Sequence, residues 1–98
     1  MDSLDIGERF AALGPAPAES SAVLAGQGVR LVRLRGEGGW HSHAGSDETV
    51  LVWAGRFRVE YRDGVVELDA GQVCVVPAGR EHRGIAAEGA DVVLLRPA

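Results

Sequence analysis

The chain has 98 residues, of which 46% are hydrophobic and 24% charged, with a formal net charge of −4 and a pI near 5.2. This length provides one domain with a single core and no second domain for reading DNA. The acidic balance, and the lack of an apolar run approaching ~20 residues, exclude nucleic acid and a membrane as expected partners. The single cysteine, Cys74, excludes an internal disulfide, and the acidic residues after Met1 are unlike a signal peptide. We therefore expect a cytoplasmic protein.

The first predicted element is a short amphipathic helix over residues 4–13. Its apolar side chains recur at helical spacing: Leu4, Ile6, Phe10 and Leu13. Asp2 or Ser3 is available as the N-cap, and Gly14 followed by a proline ends the helix. The two prolines of residues 15–20 cannot continue it, so this segment is predicted to be a linker.

From residue 21 onward the pattern changes to short apolar runs rich in β-branched residues. Glycine or proline separates these runs roughly every eight to ten residues, which is typical of an all-β sandwich or barrel. The predicted strands are SAVLA, VRLVRL, WHSH, TVLVWA, RFRVEY, VVEL, QVCVVP, HRGIA and DVVLLR. Hairpin turns are expected at Gln27-Gly28 and Asp63-Gly64, where glycine permits positive φ. Residues 1–20 are thus predicted to be a helix with its linker, and residues 21–98 a β-barrel.

Two of the predicted strands, VLVWA and DVVLL, are apolar on both faces, so each face needs a cover. In the first, Val50, Val52 and Ala54 share one face. Leu51 and Trp53 share the other. The N-terminal helix or a second copy of the chain can pack against these apolar faces. One short helix is small compared with the apolar surface of several such strands. We therefore expect a homodimer.

The segment WHSHAGSDE concentrates side chains that bind transition metals. His41 and His43 are two residues apart, so on a strand both imidazoles point to the same face. After a turn, Glu48 starts a strand whose same face is otherwise apolar. A buried carboxylate without a partner costs several kcal/mol, so this position predicts a nearby cation.

A third imidazole, His82, follows the turn Pro77-Ala78-Gly79, so all three histidines of the chain belong to one candidate group. Three imidazoles and one carboxylate suit Fe, Mn, Ni, Cu or Zn as divalent ions, and they are too rich in nitrogen for calcium or magnesium. Four ligands on an octahedral ion leave two positions for a small molecule. Because ligating imidazoles must be neutral, we expect metal loss below about pH 6.

These segments resemble the two motifs of the cupin family. The first motif has H-x-H, three or four residues, Glu, six residues and Gly, and it matches from His41 to Gly55. The second has Gly, five residues, P-x-G, two residues and His, and it matches from Gly71 to His82. The chain departs from the family where Gly36 lies one place too close to His41, and where Ala86 replaces the final Asn.

The resemblance covers residues 21–98 and implies a small single-domain bacterial cupin, an all-β jelly-roll or double-stranded β-helix barrel with the short N-terminal helix added. By the same resemblance, one metal is held by the four matching residues: His41, His43, Glu48 and His82. The net positive charge of such a site favours an anionic small molecule that chelates through oxygen.

Three functions remain open at this point. The first is a metal-dependent enzyme of small-molecule metabolism, of the isomerase, lyase or dioxygenase kind. The second is a non-catalytic cupin that binds a sugar or another small ligand, or that serves as an accessory subunit. The third is a metal-free cupin of the sugar-nucleotide epimerase type, which the complete set of ligands disfavours. A transcription factor is disfavoured because no residues remain for a helix-turn-helix.

The sequence does not single out a general acid or base. Six side chains are candidates for the pocket, although a place at the rim or in solvent is the more common one for each: Arg33, Glu37, Arg58, Glu60, Tyr61 and Arg83. Cys74 is expected to be a small core residue, since no histidine remains to activate it as a nucleophile.

Overall fold

The computed structural model describes residues 3–98, which form one short helix and one antiparallel sheet of six strands. In chain order these elements are α1 Ile6–Ala11, β1 Ala18–Leu24, β2 Gln27–Glu37, β3 Glu48–Tyr61, β4 Gly64–Asp69, β5 Val73–Val76 and β6 His82–Pro97. The strands follow the order β1-β2-β6-β3-β4, and β5 pairs with the first part of β3. The predicted all-β architecture with a short N-terminal helix is therefore confirmed. No helix in residues 3–98 is long and apolar enough to cross a membrane.

Two long strands, β3 and β6, replace four of the predicted short ones. β3 has 14 residues and joins TVLVWA to RFRVEY, while β6 has 16 residues and joins HRGIA to DVVLLR. The glycines that suggested a break lie at bulges within the β3–β6 pairing. At Gly55, where φ is 78°, a Cβ would collide with the carbonyl oxygen of Gly89, so the two backbones approach too closely for any side chain. The strands bend there and continue.

The N-terminal segment differs from the prediction at both of its ends. Asp5, not Ser3, is the N-cap of α1, and its carboxylate accepts a hydrogen bond from the Glu8 backbone N–H at 2.9 Å. The alternative cap, Asp2, lies outside the described residues. Ala18 to Ser20 belong to β1, so the predicted linker is shorter than expected and ends at Pro17.

Both predicted hairpins form, but each turn lies earlier in the chain than the predicted pair. The β1–β2 turn is Ala25-Gly26, with φ of 50° and 75°, and Gln27-Gly28 already belongs to β2. A non-glycine residue at positive φ is uncommon, which is why the sequence pointed to the wrong pair. The β3–β4 turn is Arg62-Asp63, one residue before the predicted Asp63-Gly64, and Gly64 is the first residue of β4 and does not have a positive φ.

The sheet buries apolar side chains on both of its faces. Inside the barrel the largest cluster contains ten buried residues: Val50, Val52, Phe57, Val59, Tyr61, Leu68, Val76, Ala86, Ala90 and Val92. On the outside, Phe10 of α1 packs on Val29, Leu31 and Val93, and Leu51 is packed against this second cluster. Burial of the Phe10 ring stabilises this docking by about 2 kcal/mol. The helix thus covers part of the outer face, whereas Trp53 stays 45% exposed.

Candidate metal centre

The three histidines meet at one end of the barrel. His41 lies between β2 and β3 and exchanges two backbone hydrogen bonds of 2.9 Å with His82, the first residue of β6. The ring centroids of this pair are 4.3 Å apart, and His43 lies 4.9 Å from His41. Each ring offers one nitrogen to a group whose members all lie within 4.8 Å of one another. These three residues can hold a metal ion.

The segment WHSH is not the strand that the sequence predicts. Only His41 bonds in a β-like way, through its bridge to His82. His43 uses its carbonyl to accept a hydrogen bond from the Gly79 N–H at 2.7 Å. The backbone groups of the segment are therefore satisfied by the Pro77-Ala78-Gly79 turn and by β6. The two imidazoles are neighbours because of these bonds and not because of strand alternation.

Hydrogen bonds to carbonyl groups fix the tautomer of two imidazoles. The Nδ1–H of His41 donates to the Gly39 carbonyl at 2.9 Å, and that of His82 donates to the Arg80 carbonyl at 2.8 Å. A carbonyl can only accept, so in each neutral ring Nε2 carries the free lone pair. Such outer bonds are typical of metal-ligating histidines, because they orient the ring and raise its basicity.

Two residues that sequence reasoning missed hold the histidine segment in place. Asp47 accepts a hydrogen bond from the Ala78 N–H at 2.9 Å and so ties the segment to the turn before His82. Trp40 lies between two guanidinium groups, with Arg62 at 3.8 Å and Arg83 at 5.0 Å from its ring centroid. The sequence offered one signal for each residue: Asp47 directly precedes the predicted ligand Glu48, and Trp40 directly precedes the predicted ligand His41.

Glu48 is the first residue of β3 and is only 4% exposed. Its Oε2 atom has no hydrogen-bond partner in residues 3–98, which is costly for a buried carboxylate. The nearest polar groups are His43 Nε2 at 3.7 Å and Arg96 Nε at 3.4 Å. The group whose ligand atoms lie within 4.8 Å of one another contains the three imidazoles and not Glu48, so the donor set that the structure brings together is three nitrogens, which fits a transition metal ion.

Arg96 is a third residue near the site that the sequence did not reveal. Val50 pairs with Leu94 across the β3–β6 ladder, so Arg96 lies opposite Glu48 by the same register. The sequence places Leu94 and Arg96 on one face of a strand but does not give the register between distant strands. The Arg96 guanidinium therefore balances the charge of the buried Glu48 carboxylate. Its place beside Glu48 follows from the strand register and not from a local sequence pattern.

The protonation of His43 is set by burial. Desolvation lowers its pKa below the ordinary 6.5, Glu48 opposes this shift, and Arg96 and the other two imidazoles add to it. A neutral ring is the form that can ligate a metal, so these surroundings favour ligation at mildly acidic pH.

A cavity of about 380 Å³ opens beside the histidines inside the barrel. Its apolar walls come from six residues: Val32, Leu34, Val50, Phe57, Val59 and Leu94. Its polar lining comes from six residues: Arg30, Arg35, Glu37, His41, Glu48 and His82. A second depression of about 510 Å³ lies at Arg56, Arg58 and Glu88, and no histidine lines it.

Glu37 is the one of the six suggested pocket residues that lines the histidine cavity. Tyr61 is buried in the core at 6.4 Å from the His82 ring, and burial raises its pKa. Glu60 accepts a hydrogen bond from Arg83 at 3.0 Å. Cys74 packs against the inner core, as expected, and desolvation raises the pKa of its thiol.

The remaining two candidates, Arg33 and Arg58, point away from the histidine cavity. Arg33 pairs with Asp91 at 2.8 Å on the face covered by α1. Arg58 pairs with Glu67 at 2.7 Å and borders the second depression.

The fold and the histidine cluster define a small β-barrel with three imidazoles that could hold a metal ion, and comparison with known proteins gives its family. The family model described as "Cupin domain" matches residues 28–96. The chain therefore belongs to the cupin family, as its two motifs indicated. Members of this family bind metals, which agrees with the three converging imidazoles.

The relatives agree with this assignment. The crystal structure of a cupin-2 domain containing protein from Shewanella frigidimarina has a TM-score of 0.90 and 28% identity, covering 97% of this chain and 94% of that one. YdbB of Bacillus subtilis (strain 168) is 36% identical over 56 residues, which are 56% of this chain. The match spans half the length of that curated relative.

A more distant structure is the hydroquinone 1,2-dioxygenase of Sphingomonas sp. TTNP3 with 4-hydroxybenzoate bound. It is 19% identical, with a TM-score of 0.73, and covers 96% of this chain and 74% of that one. At this identity the likeness shows a shared fold alone.

Proposed function

We propose that this chain is a metal-dependent enzyme that acts on a small oxygen-chelating metabolite by isomerase, lyase or dioxygenase chemistry. One divalent transition metal, from among Fe, Mn, Ni, Cu and Zn, would be held by four residues: His41, His43, Glu48 and His82. The observation that carries the proposal is the convergence of three imidazole nitrogens beside a buried, unsatisfied carboxylate at the wall of an apolar cavity.

The protein's own contribution is to hold the ligands and to exclude water. The carbonyl groups of Gly39 and Arg80 keep two Nε2 lone pairs directed into the site. The apolar walls from Val50 and Leu94 reduce the local dielectric, which strengthens charge interactions inside. When bound, the metal supplies Lewis acidity and binding positions for an oxygen-chelating substrate.

Metal analysis of the untagged protein tests this proposal. We expect about one equivalent of transition metal per chain after reconstitution, and a loss of affinity in His41→Gln beyond the 10–100-fold that outer-sphere changes cause. Arg56→Gln, an exposed ion-pair variant at the other depression, is the matched control and should keep its metal. Less than about a tenth of an equivalent in the reconstituted wild type would contradict the proposal.

A non-catalytic cupin that binds a sugar or another small ligand is the second candidate. It is favoured by the positions of Tyr61, Glu60 and Arg83, which do not line the cavity, so few side chains are available for proton transfer. Oxygen uptake and product formation with a panel of chelating substrates separate the two candidates. Binding without turnover by the metal-loaded protein would favour the second.

We further propose that the chain forms a homodimer through the outer face of β3 and β5. Trp53, Val73 and Val75 are 45%, 50% and 53% exposed, and Leu51 pairs with Val73 in the ladder that joins the two strands. This surface adjoins the apolar patch that α1 covers through Leu51. An exposed cluster of this kind is typical of a protein interface.

A further inference from the structure

The guanidinium of Arg96 lies beside the buried carboxylate of Glu48. Its Nε atom is 3.4 Å from Glu48 Oε2, but this oxygen accepts no hydrogen bond from it. In the part of the chain that the structure describes, Glu48 is the only carboxylate paired with Arg96. The contact is therefore an attraction between charges without the geometry of a fixed hydrogen bond.

The same carboxylate oxygen also faces the histidine cluster. Glu48 Oε2 is 3.7 Å from Nε2 of His43, and His43 is one of the three residues whose ring nitrogens converge. A metal ion held by the imidazoles and the guanidinium of Arg96 would therefore both be attracted to this one carboxylate. Of the two groups nearest to the oxygen, the guanidinium is the one that always carries a charge.

The two partners differ in how freely they can separate. The Glu48 side chain is 5% exposed, whereas the Arg96 side chain is 34% exposed and lies near the end of β6. A carboxylate inside the barrel costs free energy unless a cation stays beside it. An arginine near the surface can instead turn its charged head group into water along its flexible stem. Glu48 is therefore the fixed member of the pair, and Arg96 is the member that can be replaced.

We propose that Arg96 is the counter-ion of Glu48 in the metal-free chain, and that it competes with the metal ion for this carboxylate. The inference rests on the proposed function, in which Glu48 is a metal ligand. Arg96 compensates the charge of Glu48 until the ion arrives, and the ion and the guanidinium then repel each other because both are positive. Arg96 thus stabilises the metal-free barrel and weakens metal binding. A residue that only positioned Glu48 for the metal would strengthen metal binding instead.

Zinc titration of the untagged, metal-free protein against a chromophoric chelator tests this competition. Arg96→Met removes the charge and keeps an apolar stem. We expect this variant to bind zinc about tenfold or more tightly than the wild type, because charges at contact distance in a partly buried site interact by at least this factor. Its urea midpoint without metal should fall, since the buried Glu48 carboxylate loses its counter-ion. Arg56→Met, which removes an exposed arginine paired with Asp69, is the matched control and should keep the zinc affinity within about twofold.

The same two measurements on the Glu48→Gln protein separate competition for the carboxylate from general repulsion of the ion. Without the Glu48 charge, Arg96→Met should tighten zinc binding by less than about twofold and should no longer lower the urea midpoint. The inference is overturned if Arg96→Met leaves zinc binding unchanged or weakens it, or if it tightens binding equally with and without the Glu48 charge. A wild type that takes up no zinc contradicts the proposed function, whereas a zinc-binding wild type with no gain in Arg96→Met contradicts only the role of Arg96.

Discussion

The three imidazoles of the site differ in how they are held. His41 and His82 are each anchored by a hydrogen bond from Nδ1–H to a carbonyl and by the backbone bridge between them. His43 has a carboxylate oxygen at 3.7 Å as its polar neighbour, and burial lowers its pKa. The site thus combines two pre-oriented ligands with a third whose charge state depends on its surroundings.

This difference predicts how the metal-free protein responds to acid. The pKa of His43 lies below 6.5 in the folded chain and near 6.5 in the unfolded chain, so the unfolded chain binds the proton first. The part of the free energy of unfolding that comes from the lowered pKa of His43 is therefore fully present above about pH 6.5. It is lost as the pH falls toward the pKa of His43 in the folded chain. Urea unfolding of the metal-free wild type and of His43→Gln from pH 7.5 to 5.5 measures the effect. The free energy of unfolding should fall more steeply with decreasing pH in the wild type than in His43→Gln. The same pH dependence in both proteins would contradict the prediction.

The tie between α1 and the sheet depends on one arginine. Arg33 pairs with both carboxylate oxygens of Asp91 at 2.8 and 3.0 Å, and it donates to the carbonyl groups of Phe10, Leu13 and Gly14. Phe10 lies in the last turn of α1, and Leu13 and Gly14 follow the helix within three residues of its end. One guanidinium thus caps α1 and joins β2 to β6.

We expect Arg33→Met to lower the free energy of unfolding by more than the loss of an exposed surface ion pair, because it leaves the Asp91 carboxylate and two carbonyl groups without their donor. Arg56→Met, which breaks an exposed pair with Asp69, should cost less than about 1 kcal/mol. Urea unfolding of both variants gives the comparison. Equal losses would mean that the helix does not depend on this cap.

The sequence predicted the elements that depend on local pattern and missed those that depend on register. The H-x-H spacing, the Pro77 turn and the inward position of Glu48 are local features; the structure brings the three histidines into one group and buries Glu48 beside His43. The place of Arg96 beside Glu48 and the bulge in β6 between Ala86 and Ala90 arise from the pairing of strands far apart in the chain, so no local pattern reveals them. The Ala25 turn was missed for another reason, since alanine is an unusual residue at positive φ.

At the scale of the whole molecule, the outer face of β3 and β5 predicts the oligomeric state. Sedimentation should find a dimer in the wild type, and Trp53→Glu should shift it to a monomer, because a charge at the centre of an apolar interface remains unpaired. Val65→Glu, at an exposed valine on β4, should leave the dimer intact. A wild type that is monomeric at about 100 µM, a hundredfold above a micromolar dissociation constant, would contradict the proposed interface.

The long strand β6 also sets the order in which the site can form. It pairs with β2 from Gln27–Pro97 to Glu37–Ile85 and carries His82 at its first residue. These pairings close loops of several tens of residues, so they belong to the slow, late part of folding. The three histidines come together only after this closure, so an ion held by them would contribute little to the folding transition state. An interaction absent from that state slows unfolding without speeding folding, and the ion should therefore prolong the lifetime of the folded barrel.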